Sequence, residues 1–196
     1  MAKVKSALEI ALEKAGNIAT FTQEEKERLL DEERLLSVLR EFYQGNIDSG
    51  GLWQHLKGSK PFLLREAQLS VINTFGLGSS PEDFRTRTQA ILAVETLKDK
   101  QNTAMIESEL HSLEALLKEY QEMKDRAVED LKQQIEMHPQ MRMRPVRTPD
   151  GKTVMQMTVS ADEAVKARLS EFLSEQEGQF NQEFSFVIEN LKNLVM

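Results

Sequence analysis

Along most of the chain, apolar residues return every three or four positions, and short glycine-, proline-, serine- and asparagine-rich stretches interrupt the pattern. That period belongs to amphipathic helices. The first stretch, MAKVKSALEIALEKAG, gathers Val4, Leu8, Ala11, Leu12 and Ala15 on one side and stops at Gly16-Asn17. Thr22-Gln-Glu-Glu25 then reads as a capping box, with Thr22 taking a free backbone N–H and Glu25 reaching back. The helix it opens is expected to reach about Gln44. Leu29, Leu36, Leu39 and Tyr43 form its expected apolar face, widened by Leu30, Leu35 and Phe42.

Gly45-Asn46 end that helix, and Leu52, Trp53 and Leu56 suffice for one short helical turn among the glycines that follow. Pro61 suits the first turn of a helix carrying Leu64, Ala67, Val71, Ile72 and Phe75. Ser80-Pro81-Glu82-Asp83 is another strong start signal. No proline or glycine then appears until Pro139. The pattern therefore predicts one helix over Pro81–Met137, about 56 residues and about 84 Å long. Leu110, Leu113, Leu117, Tyr120, Ala127 and Leu131 mark its second half at near-heptad spacing. A second capping box, Ser160-Ala-Asp-Glu163, opens a helix over Asp162–Val195. The two long helices are expected to pair antiparallel. Gly178, which costs about 1 kcal/mol against alanine inside a helix, is the expected place for a bend.

Between these helices the period changes from helical to alternating. Thr148-Pro149-Asp150-Gly151-Lys152 has the chemistry of a tight hairpin loop, with glycine where φ is positive. If Thr148 faces Lys152, Pro145 lies opposite Met155, Met143 opposite Met157 and Met141 opposite Val159. One face then carries Met141, Met143, Met155 and Met157. The other sets Arg142, Arg144 and Val146 against Thr158, Gln156 and Val154. Turn chemistry and alternation agree on this register.

The predicted fold class is mainly α, a helical bundle with a long antiparallel, coiled-coil-like helix pair and one β-hairpin inserted between the two long helices. An N-terminal helical cluster covers 1–78; the long helix, hairpin (about 141–159) and C-terminal helix cover 79–196. Two long helices joined by a hairpin resemble the architecture of prefoldin, and helix-plus-β dimers occur among nucleotide-exchange cochaperones. The resemblance is one of architecture and rests on no shared motif.

Composition narrows the function classes. Cysteine is absent, which removes disulfides, thiolate metal sites and thiol nucleophiles together and suits a cytoplasmic protein. The net charge of −7 disfavours nucleic-acid or anionic-membrane binding by the whole surface. No stretch approaches the roughly 18 apolar residues of a membrane span. His55, His111 and His138 are far apart, and Glu107 with His111 reads as a solvated i, i+4 pair. No nucleophile–base pair, metal set or cofactor motif stands out, so no catalytic residue, metal or cofactor is nominated. The expected function is a non-enzymatic scaffold, adaptor or chaperone-like interaction protein that self-associates, a dimer first. Its candidate protein contacts are Met141, Met143, Met155, Met157 and Trp53. The alternative is RNA or ribonucleoprotein binding by Arg142, Arg144, Arg147 and Lys152, a small basic patch without an aromatic for base stacking.

Overall fold

Local start signals decide where the helices begin. In the computed structural model, which describes residues 22–147, 149, 151, 153–157 and 159–196, helix α1 spans Gln23–Tyr43. The expected N-terminal helix over residues 1–16 lies outside the described residues, as do Thr148 and Lys152. Both halves of the Thr22 box are formed, with the Glu25 N–H donating to Thr22 Oγ1 at 3.2 Å and the Thr22 N–H to Glu25 Oε2 at 2.7 Å. The short turn around Trp53 becomes α2, Ser49–Leu56, capped by the Asp48 carboxylate on the Gly51 N–H at 2.8 Å. Helix α3 is Pro61–Ile72, and α4 is Pro81–Glu95 with Ser80 as its cap. Then come α5 (Thr103–Met137), a 3-10 turn (Pro139–Arg142), strands β1 (Met143–Arg147) and β2 (Thr153–Met157), and α6 (Ala161–Val195). The fold is thus mainly helical, with a long antiparallel pair, α5 and α6, joined by one hairpin. No described helix is long and apolar enough to cross a membrane.

One buried core draws on both sides of residue 78. Leu52, Ile72, Ile91, Ile106, Leu113 and Leu191 come from five different helices and are fully buried together. Each contributes roughly 1.5–3 kcal/mol by leaving water. The base of the α5/α6 pair is therefore held by α3 and α4 in a core that α1 and α2 complete.

Two helical regions differ from the sequence expectation. Helix α1 buries Leu35, Leu39 and Phe42, while Leu36 and Tyr43 from its expected face are 62 % and 46 % exposed. The helix has apolar residues on two sides, and its neighbours α2 and α3 take only one of them.

The second difference is larger. Pro81–Met137 is not one helix, because residues 96–102 break it without any glycine or proline. At the break stands Glu95, which is fully buried. Its carboxylate accepts the Asn102 backbone N–H at 2.6 Å, Gln68 Nε2 at 2.9 Å and Lys98 Nζ at 3.0 Å. A carboxylate at the start of α5 answers the free N–H groups and positive dipole end there, and Asn102 makes no side-chain cap of its own. The same junction closes the far end of α6. Lys98 Nζ donates to Val195 O at 3.0 Å and Asn102 Nδ2 to Leu194 O at 2.9 Å, so the last carbonyls of α6 find donors in the break. Gly178 interrupts nothing, since α6 remains helical through it.

Candidate interaction site

The hairpin stands on a small apolar plug of its own. Ile135 of α5 and Ala164 and Val165 of α6 are buried together, with Val128, Leu131, Val159 and Ala161 packed around them. Helix α5 ends at Met137 with His138 as its C-cap, Pro139 turns the chain into the 3-10 segment, and the Ser160–Glu163 capping box starts α6. The Arg142 guanidinium closes the base by donating from Nε to Val159 O at 3.0 Å.

Met143 pairs with Met157, Arg144 with Gln156, Pro145 with Met155, Val146 with Val154 and Arg147 with Thr153, the register that the turn chemistry implies. Gly151 has φ +81°, as the turn requires. The strands are shorter than expected. Met141 and Arg142 belong to the 3-10 turn, so Met141 does not pair with Val159 and Arg142 meets Val159 through its side chain. Proline at the head of that turn fixes φ and favours a helical entry over an earlier strand.

Apart from half-buried Val146, the described apolar side chains of the ribbon face water. Met143 is 38 % exposed, Val154 44 % and Met155 60 %, on both faces of the ribbon. Arg147 is exposed, whereas Arg142 is half-buried and committed to its carbonyl. The side chains of Met141, Arg144 and Met157 lie outside the described residues.

Trp53 sits far from this tip. Its indole Nε1 donates to Thr96 Oγ1 at 3.0 Å and Lys57 Nζ lies 5.1 Å from its ring centre, so the half-buried ring pins α2 to the end of α4. The structure does not bring it together with the methionines. His111 lies 3.9 Å from Glu114, one turn on, and His138 caps α5 beside Gln140. Among the described residues no three histidine or carboxylate side chains are grouped to hold a metal.

Between plug and core, the helix pair is thinly covered. Tyr120 is buried there, with its hydroxyl donating to Glu177 Oε1 at 2.6 Å, its ring edge-on to Phe180 at 5.2 Å and Lys124 Nζ 5.3 Å from its centre. Burial, then the hydrogen bond to Glu177 and its charge, push the Tyr120 pKa up to about 12. Glu95 shifts the other way. Burial alone would raise its pKa, but the bonds from Asn102, Gln68 and Lys98 outweigh it and hold the carboxyl below its ordinary value. Sequence reasoning missed Glu95, Gln68 and Lys98. The one available signal was the polar run Lys98–Asn102, which leaves an amphipathic helix more than one turn without an apolar residue.

These features define a mainly helical protein that holds a β-hairpin at the end of an antiparallel helix pair rooted in a bundle. Residues 52–195 match a family of unknown function, DUF6657, and the chain belongs to that family. No curated protein and no solved structure matches it.

Proposed function

We propose that the protein is a non-enzymatic scaffold or chaperone-like interaction protein of the cytoplasm, which self-associates along its helices and offers the hairpin as a contact surface. The observation that carries the reading is the exposure of Met143, Val154 and Met155 on a ribbon whose base is locked by Arg142 and the Ile135–Val165 plug. An isolated two-stranded ribbon is marginal in water, and flexible, polarizable methionine suits adaptable apolar recognition. The reading predicts that the chain slows aggregation of reductively unfolded insulin, and that Met143→Asp with Met155→Asp removes most of that protection while leaving the helical circular dichroism unchanged. Equal protection by parent and double variant would remove the hairpin as the contact surface. No protection by the parent would remove the chaperone-like reading.

Nucleic-acid binding has less behind it. Arg142 is turned back onto Val159 O, and the chain as a whole carries −7.

A further inference from the structure

The flank of α6 carries an open groove of 590 Å³ beside the thinly covered middle of the helix pair. Its walls are two adjacent rows of residues spaced by four. Ser170, Ser174 and Gly178 form a low row that Lys166 continues at one end, and Leu169, Leu173 and Glu177 a high one. Leu169 and Leu173 are half-buried, while Ser170 and Ser174 are exposed. Rows spaced by four are the ridges that interlock when two helices cross at about 50°, the commonest packing in globular proteins.

Charge decides what fits. Lys166 stands at one end of the groove and Glu177 three turns away on the same face. A parallel copy of α6 would set lysine against lysine. An antiparallel copy sets Lys166 against Glu177 of the second copy at both ends, where Glu177 also accepts the Tyr120 hydroxyl of its own chain through Oε1. It also places Leu169 over the second copy's Ser174, and Leu173 over the second copy's Ser170. Large residues then fill the space above small ones, and opposite charges close the rim.

We propose that this groove is the seat of a second copy of the chain, the two α6 helices crossing antiparallel through the groove centred between Ser170 and Leu173. The proposal rests on the self-association part of the function above and names the surface that performs it. In this register Ser160 of one copy lies opposite Glu183 of the second, so each hairpin points toward the end of the dimer that holds the second copy's bundle.

Light scattering on the full chain tests it. The parent is expected at twice 22.4 kDa. Ser174→Arg, which fills the low row at an exposed position, is expected to weaken dimerisation by at least about tenfold, or about 1.4 kcal/mol, with unchanged circular dichroism. Lys166→Glu is expected to weaken it less, by setting two carboxylates against each other at each rim. A dimeric parent whose Ser174→Arg and Lys166→Glu variants dimerise as well as it does overturns the groove as the seat and leaves self-association standing. A parent that stays at 22.4 kDa at all concentrations overturns both.

Discussion

At the base of the helix pair Ile106, Leu113 and Leu191 are fully buried, whereas along its middle Met123, Leu131, Leu169, Phe172 and Leu173 are only half-covered. The two regions use the same helices and the same residue types. They differ in the number of neighbours. At the base α3 packs on α6 and α4 on α5, with α1 and α2 behind them, so each apolar stripe meets more than one partner. In the arm each helix has one partner, and a stripe more than about 100° wide cannot be covered from one side. Burial depth in this chain is thus set by topology rather than by the strength of the helical pattern.

The strongest way to break that comparison is through the junction that makes the base. Glu95→Ala removes the acceptor for Asn102, Gln68 and Lys98 at once and leaves Lys98 with Val195 O but no counter-charge. The expected cost is about 3–5 kcal/mol, read from the urea midpoint. The depressed pKa of Glu95 adds a pH signature. Its contribution is complete above the ordinary carboxylate value and is lost as pH falls through its lowered folded value. A Glu95→Ala chain that melts like the parent at neutral pH, with the same acid limb, would deny the junction its role.

Core deletions come next. Leu113→Ala is expected to cost about 3 kcal/mol, the usual range for a fully buried leucine. Met123→Ala is expected to cost about 1 kcal/mol, since that side chain is half in water. Equal losses in denaturant melts would show that the arm is as tightly covered as the base.

Which of these contrasts sequence reveals depends on how local their cause is. The Thr22–Glu25 and Ser160–Glu163 boxes and the Ser80-Pro81 start are legible because donor and acceptor lie within one turn. The hairpin register is legible because Gly151 and the alternation around it say the same thing twice. The break at residues 96–102 is not, because it is made by Gln68, Leu194 and Val195, which the chain brings to Glu95, Lys98 and Asn102 from far away. Helix α1 misleads for a related reason. Leu36 and Tyr43 lie on one side and Leu35, Leu39 and Phe42 on another, and only the neighbours choose between them. At the candidate site, the faces of the ribbon can be read from alternation, but the use of Arg142 as a clasp on Val159 cannot.

The smallest expected effect tests whether the arm keeps a fixed register despite its thin cover. The chain has two tyrosines, Tyr43 and Tyr120, so phenolate absorbance resolves them. Burial raises the Tyr43 pKa, partly offset by Arg87. Tyr120 is pushed up to about 12 by burial and by Glu177. A pKa raised in the folded state stabilises below the unfolded value, roughly 10, and that contribution is lost as pH climbs toward about 12. The titration should therefore show two steps, the later one coinciding with separation of α5 from α6. Tyr120→Phe should delete the later step and cost only about 1 kcal/mol, because water can reach the half-buried Glu177 once the hydroxyl is gone. If both tyrosines ionise together near 10, or if the variant loses the earlier step instead, Tyr120 and Glu177 do not hold the two helices in register.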